Sequence, residues 1–140
     1  MEKVLLLSDT HGLVEEVKEV VQRDSYTHIL HGGDFCVDPH EEPFASMIMV
    51  QGNNDLSTHA PIERIFEWQG IRFFLAHGHT YQVYYSLLQL KYKALEMGAD
   101  VVLFGHTHFP VCLQEEIIMV NPGSLKNPRG YKVPLSLIHI

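Results

Sequence analysis

The chain has 140 residues, and an apolar fraction of 46% is enough for the core of one domain. A net charge of −7 argues against a broad nucleic-acid-binding face, which needs clustered positive charge. No apolar run has the length of a membrane span, and the N-terminus does not have the build of a signal peptide. We therefore expect one domain over residues 1–140 in the cytoplasm, with no membrane partner. The sequence leaves the oligomeric state open, a homo-oligomer included.

Histidine is the residue type that stands out in the composition. The chain has ten histidines, and four of them form the two pairs His77-x-His79 and His106-x-His108. Neutral imidazole is a common metal ligand, so these pairs indicate a metal site. The two cysteines, Cys36 and Cys112, fit no zinc or redox spacing, and we expect buried free thiols.

In the N-terminal half, apolar runs that predict strands each end in a polar turn with glycine. The runs are 3–7, 27–30 and 46–50, and the turns are 8–12, 31–34 and 52–55. Apolar residues at helical spacing over 13–21 predict an amphipathic helix that covers a sheet.

The C-terminal half combines hairpins with one long helix. The predicted strands are 62–68, 71–76, 100–104, 111–113, 117–120 and 133–140. Leucine, tyrosine, lysine and glutamine over 81–97 predict the helix, and Gly98 fits its C-terminal cap. Parallel strands would each need a crossover, whereas hairpins do not. We therefore predict a mixed β core of two packed sheets with helices outside.

Five of the predicted strands end in Asp, His or Asn. The side chains concerned are Asp9, His11, Asp34, Asn53, His77, His79, His106 and His108. Taken singly, each has an ordinary structural role, such as a helix cap or a turn. Side chains at strand ends of such sheets commonly gather in one crevice, and alternate residues of an extended chain face one side. Together they predict one metal site, of a composition that suits Mn, Fe or Zn and could hold two ions.

Six motifs in order resemble those of the calcineurin-like metallophosphoesterases, above all the small bacterial and archaeal phosphodiesterases. They are Ser8-Asp9-Thr10-His11-Gly12, Gly32-Gly33-Asp34, Gly52-Asn53-Asn54-Asp55, His77-Gly78-His79, Gly105-His106-Thr107-His108 and Asn121-Pro122-Gly123-Ser124. The resemblance runs from the first strand to the last loop. It implies an α/β (α+β) fold, a four-layer αββα sandwich of two mixed sheets flanked by helices.

The resemblance also implies a dinuclear centre and a phosphate-ester substrate. Carried over by motif, one metal is held by Asp9, His11 and His108, the other by Asn53, His77 and His106, and Asp34 bridges them. A bridging hydroxide would attack phosphorus in line with the leaving alkoxide. Manganese is the expected metal, with iron, zinc or nickel as alternatives, because such ligands accept several ions.

Position 54 departs from many phosphatases of the superfamily, which have a histidine there to protonate the leaving group. Asn54 cannot act as a general acid, so good leaving groups are favoured and efficient hydrolysis of alkyl monoesters is not expected. His79 remains open as a proton donor or a structural residue. Asp55 is either too distant or a support for the ligands, and Arg129 is the basic residue nearest a motif loop.

Two other functions remain open at this stage. A phosphomonoesterase is the closer one. The other is a protein-binding scaffold, because a retromer subunit of this fold works in that way. Loss of ligands would indicate the scaffold, and the sequence shows none lost. Asn121 and Ser124 are expected to fix the second nitrogen of a histidine, to tie loops together or to form a plain turn.

Overall fold

The computed structural model of the protein describes residues 2–55 and 60–125 and the backbone of 136–139. The strands in these ranges are Lys3–Leu7 (β1), His28–His31 (β2), Ile48–Met49 (β3), Glu63–Trp68 (β4), Ile71–Ala76 (β5), Val101–Leu103 (β6), Val111–Gln114 (β7), Ile118–Asn121 (β8) and Ser136–His139 (β9). The α-helices there are Val14–Val21 (α1) and Leu88–Glu96 (α2), and 3-10 helices cover Phe44–Ser46 and His79–Tyr81.

The strands form two mixed sheets, as predicted. One has the order β3-β2-β1-β9, in which β1, β2 and β3 are parallel and β9 is antiparallel. The other has the order β4-β5-β6-β8-β7, with β5, β6 and β8 parallel and a hairpin at each edge. Leu7 pairs with His31 and His31 with Met49, so the carboxyl ends of β1 to β3 meet at one edge of their sheet.

The apolar side chains divide the molecule into four layers. Leu6 and Leu75 belong to a buried cluster that joins the two sheets. Leu5, which points to the opposite face of β1, packs with Val17 of α1. Leu90 of α2 packs on the outer face of the other sheet. The order helix, sheet, sheet, helix confirms the predicted αββα sandwich.

The prediction of a helix over 81–97 is wrong in its first half. Gln82 has φ 53°, a left-handed conformation that ends the preceding 3-10 turn, and α2 begins only at Leu88. Val83 is buried under Gly78, whereas the buried residues of α2 itself are Leu90 and Ala94. The sequence also predicts an apolar face made of Val83, Tyr84, Leu87, Leu88 and Leu95. Val83 is buried and Leu87 packs against the core, whereas Tyr84, Leu88 and Leu95 are exposed.

Other expectations are corrected or lie outside the described residues. Cys36 and Cys112 are both exposed, not buried, because each is on a loop or an edge strand. Arg129 lies outside the described residues, and so do 133–135 and 140 of the predicted last strand, of which Ser136–His139 forms β9. Within the residues described, no helix is long and apolar enough to cross a membrane. Gly98, with φ 71°, follows the end of α2 as predicted.

Candidate metal centre

The turns after β1, β2, β3, β5 and β6 bring their polar side chains to one place. Backbone hydrogen bonds continue from the strands into the first two turns: Asp9 N–H donates to Gly33 O at 2.9 Å, and His11 N–H donates to Asp34 O at 3.0 Å. Gly105 N–H, after β6, donates to His77 O at 3.0 Å. The backbone thus joins the turns of each sheet, and side chains join the two sheets.

Asp9, His11 and His108 form the first group. The Nε2 atoms of the two histidines are 3.3 Å apart, and His108 Nε2 lies 3.2 Å from Asp9 Oδ1. His11 Nε2 is 3.9 Å from the same oxygen. The three ligand atoms all lie within 4.8 Å of one another, which is the spacing expected of groups around one ion. The structure therefore brings together the residues predicted to hold one metal.

Asp34 and His77 form a second group, which also includes Asp9. His77 Nε2 lies 3.4 Å from Asp34 Oδ2 and 3.7 Å from Asp9 Oδ1. Asp9 Oδ1 and His77 Nε2 are buried without a hydrogen-bond partner in the described part of the chain. Buried polar atoms are rarely left unsatisfied, so these two fit a bound cation. Asp9 belongs to both groups. That Asp34, and not Asp9, bridges two metal ions therefore stays a prediction.

Asn53 and His106 extend the second group. Asn53 Oδ1 is 3.1 Å from His106 Nδ1, so this histidine turns a different nitrogen to the site than His77 does. The rings of His77 and His106 are 5.2 Å apart between centroids. The structure therefore also brings together the residues predicted for the other metal.

The backbone at these residues is not extended, which corrects the geometry assumed from the sequence. Asp9, His11, His106 and His108 all have φ between 46° and 71°, in the left-handed region, and so has Asp34. Residues other than glycine rarely adopt this conformation, and strain of this kind clusters at functional sites. The side chains of Asp9 and His11, and those of His106 and His108, converge because of this local backbone conformation. They do not converge because alternate side chains of an extended strand face one side.

Two glycines make room for the carboxylates. A Cβ atom at Gly105 would collide with the side chains of Ser8 and Asp9, and one at Gly52 with the Asp34 carboxylate and backbone. Any side chain at either position would therefore displace a predicted ligand.

Asp55 connects two of the turns that carry predicted ligands. Its buried carboxylate accepts hydrogen bonds from the backbone N–H of Asp34 at 2.6 Å, Gly52 at 2.9 Å and Cys36 at 2.9 Å. It therefore ties the turn that carries Asp34 to the turn that carries Asn53. The sequence left open whether Asp55 is too distant or holds the ligands in place, and these contacts favour the second role.

Further contacts fix the remaining loops. His77 Nδ1 donates to the Gly32 carbonyl at 2.8 Å, the arrangement that leaves Nε2 free for a metal. Asn121 Nδ2 donates to Gly105 O at 3.2 Å, and Ser124 Oγ donates to Asp9 O at 2.6 Å. These two contacts hold loops together.

The cluster favours a cation electrostatically. Burial raises the pKa of Asp34, but the nearby His77 and the hydrogen bonds from Asn54 outweigh it and hold that pKa well below its usual value. Burial also raises the pKa of Asp9, but His108, His77 and Ser8 outweigh it and lower that pKa overall. Burial lowers the pKa of His77, yet the two carboxylates raise it overall. The negative charge of the two carboxylates thus favours a proton on His77, and a divalent cation would balance the same negative charge.

His31, which sequence reasoning left as structural, joins the first two turns. Gly33 N–H donates to its Nδ1 at 3.0 Å, so Nε2 carries the proton and donates to Thr10 Oγ1 at 2.9 Å. Burial lowers the pKa of His31 from 6.5 to about 4, although Asp9 and Asp34 act in the opposite direction. A second proton would break the bond from Gly33.

We expect His31 to make the metal-free protein acid-sensitive. Between pH 6.5 and about 4 the unfolded chain binds a proton at this position that the folded chain does not. The free energy of unfolding therefore falls as the pH falls, by roughly 3 kcal/mol in all. Urea unfolding at several pH values should show this loss, reduced in His31→Gln. Equal pH dependence in the two proteins would contradict the role assigned to His31.

The two predicted catalytic residues border the cluster. Asn54 donates to Asp34 through its backbone N–H at 2.9 Å and through Nδ2 at 2.8 Å. The ring of His79 lies 5.5 Å from that of His77 and 6.1 Å from that of His106, and its buried Nδ1 has no hydrogen-bond partner among the described residues. Asn54 therefore orients a predicted ligand, and His79 lies beside two others.

Comparison with known proteins gives one consistent family. Residues 2–139 match the calcineurin-like phosphoesterase superfamily domain. YsnB of Bacillus subtilis, named a probable metallophosphoesterase, is 34% identical over 134 residues, which cover 90% of this chain and 76% of YsnB. MJ0936 of Methanocaldococcus jannaschii, named a phosphodiesterase, is 27% identical over 144 residues, which cover 86% and 82%. A crystal structure from Streptococcus pneumoniae, titled a predicted phosphoesterase, has a TM-score of 0.86 at 30% identity and covers 92% of this chain and 76% of that one.

Proposed function

Because the chain belongs to the calcineurin-like phosphoesterase superfamily, we propose that it is a phosphodiesterase that works with two divalent metal ions. The observation that carries the proposal is the buried pair Asp9 Oδ1 and His77 Nε2, which lack hydrogen-bond partners in the described residues and are 3.7 Å apart. Imidazole nitrogens of His11 and His108 converge on the same carboxylate. Loss of ligands would indicate a scaffold, and all seven predicted ligands are present among the described residues.

Each proposed ion has its own set of ligands. Asp9, His11 and His108 would hold one, and Asn53, His77 and His106 would hold the other. Asp34 would bridge them, a role supported by the distances from Asp34 Oδ2 to His11 Nε2, 3.8 Å, and to His77 Nε2, 3.4 Å. Manganese is the proposed metal, with iron, zinc or nickel as alternatives.

The protein's part in catalysis is to bind the phosphate and to hold the metal ligands in fixed positions. Two divalent ions supply an activated water and neutralise charge that develops on the phosphoryl oxygens. Asp9 and Asp34 offset only part of about four positive charges, so the loaded site attracts an anionic phosphate despite the net charge of −7. Asn53 is a neutral ligand, which leaves its ion a stronger Lewis acid than a carboxylate would.

The preference for diesters rests on the name of MJ0936, a relative called a phosphodiesterase. Position 54 adds a preference for good leaving groups, because Asn54 has no proton to give at neutral pH and its side chain is engaged with Asp34. A phosphomonoesterase is the function that the decisive experiment must separate from this one.

The experiment measures metal content and two rates on one preparation. Hydrolysis of bis(p-nitrophenyl) phosphate and of p-nitrophenyl phosphate is compared with and without Mn²⁺. We expect bound metal, Mn²⁺-dependent turnover and a faster rate on the diester. Faster hydrolysis of the monoester would establish the phosphomonoesterase, and a protein without metal or turnover would refute both enzymes.

His79→Gln tests whether His79 protonates the leaving group. If it does, the substitution slows the release of an alkoxide by about 100-fold and leaves the release of p-nitrophenolate nearly unchanged. The substrates are methyl p-nitrophenyl phosphate, for the good leaving group, and dimethyl phosphate, for the poor one. An equal effect on both substrates would assign His79 a structural role.

A further inference from the structure

Tyr84 lies against the outer side of the histidine cluster. Its hydroxyl donates to the carbonyl oxygen of His106 at 3.2 Å. Its ring meets the His106 imidazole edge-on, with centroids 4.9 Å apart and an angle of 70° between the planes. Yet 52% of the residue remains exposed. A large aromatic surface is therefore left open beside a proposed metal ligand.

The neighbouring residues and a hydrogen bond fix the position of Tyr84. Val83, only 5% exposed, packs in the core cluster of the five-stranded sheet, and Gln82 is held in the left-handed conformation. The hydrogen bond to His106 fixes the other end of the side chain. A ring anchored at both ends loses little further freedom when a ligand binds to it.

The described basic side chains that form ion pairs do so elsewhere on the surface. The pairs are Lys3–Asp24, Lys18–Glu15, Arg23–Glu19, Arg72–Glu67, Lys91–Glu115 and Lys93–Glu96. The contact identified beside the metal ligands is the aromatic ring of Tyr84 against His106. Such a ring binds a flat, uncharged group by stacking.

We propose that Tyr84 is a specificity-determining residue that stacks on a flat aromatic substituent of the phosphodiester, either an aryl group or a nucleobase. The inference rests on the proposed function, because the metals hold the phosphate while Tyr84 selects what is attached to it. It adds a substrate class to the site: diesters with one planar, uncharged substituent are preferred over dialkyl esters.

The test measures the binding of phosphonate monoesters to the Mn²⁺-loaded protein by calorimetry. Their leaving group is an alkoxide, so they are cleaved slowly. Methyl methylphosphonate has no ring, methyl phenylphosphonate has an aryl ring, and the thymidine 5′-ester of methylphosphonic acid has a nucleobase. In the wild type we expect at least one ringed ligand to bind about tenfold tighter than the ringless one. Comparison of the two ringed ligands distinguishes an aryl group from a nucleobase.

Three variants test whether Tyr84 causes the preference for ringed ligands, measured as the ratio of the affinities of ringed and ringless phosphonates. Tyr84→Leu should reduce the ratio to less than about threefold, whereas Tyr84→Phe, which keeps the ring and loses the hydroxyl, should keep most of it. Tyr92→Leu removes an exposed ring from α2 and should leave the ratio unchanged. An unchanged ratio in Tyr84→Leu, or no ring preference in the wild type, would overturn the inference. If diesters are still hydrolysed, the proposed function survives; a wild type that binds no Mn²⁺ would refute both.

Discussion

His106→Ala and His108→Ala should each lower turnover of a diester by about 1,000-fold, yet remove different ions. His108 Nε2 lies 3.2 Å from Asp9 Oδ1, in the group with His11, whereas His106 Nδ1 lies 3.1 Å from Asn53 Oδ1. Each variant should therefore retain close to one ion per chain. Metal analysis after dialysis gives the number retained, and electron paramagnetic resonance of the Mn²⁺-loaded variants reports the loss of coupling between two ions.

A control variant shows that the loss is specific. His40 is an exposed histidine whose Nδ1 lies 3.0 Å from Asp38 Oδ1 on the surface, and His40→Ala should keep both ions and full turnover. If His106→Ala and His108→Ala leave the same ion bound, as judged by its spectrum, both histidines serve one metal. The proposed division of ligands would then be wrong.

Asp55→Ala should be the most destabilising substitution outside the proposed ligands. It leaves the backbone N–H groups of Asp34 and Gly52 without their acceptor in a buried position, and that of Cys36 in a partly buried one. At about 1–3 kcal/mol for each unsatisfied group, a loss of roughly 3–5 kcal/mol is expected. The turns of Asp34 and Asn53 lose their connection, so Mn²⁺ affinity should fall by about 10- to 100-fold. Urea unfolding and metal titration measure the two effects.

Asp38→Ala is the matched control for this substitution. Asp38 also accepts a backbone N–H, from His40 at 2.9 Å, but it is exposed. Water replaces it there, so we expect a change in unfolding free energy within about 0.5 kcal/mol and unchanged metal affinity. A loss for Asp55→Ala as small as that for Asp38→Ala would show that the buried carboxylate does not support the site.

The sheet architecture follows from local patterns in the sequence, and the second helix shows where such patterns fail. Apolar runs bounded by glycine predict β1 and β5, because burial on both faces demands such runs. The segment 81–87 has the composition of a helix, but Gln82 is left-handed and Val83 is drawn into the core. That tertiary contact decides the conformation, and spacing within the segment does not reveal it. The exposed position of Tyr84 was missed for the same reason.

The predicted ligands could be found from the sequence, whereas their geometry and supports could not. Each ligand directly follows a strand, and this signal needs no structure. The left-handed backbone at Asp9 and His106 is set by long-range contacts, such as the bond from His106 N–H to Asp9 Oδ2 at 3.1 Å. The role of His31 depends in the same way on Thr10, which is 21 residues away. Glycines at 52 and 105, which have no room for a side chain, are the local signs of such crowding.

Titration of metal-free protein with Mn²⁺ tests the proposed dinuclear phosphodiesterase most directly. The rate of bis(p-nitrophenyl) phosphate hydrolysis is measured after each addition, on protein whose metal content is known to be zero. The proposal predicts a rate that rises until two equivalents per chain are bound and then stays constant. A plateau at one equivalent, or a rate that does not depend on Mn²⁺ or another divalent ion, would contradict it.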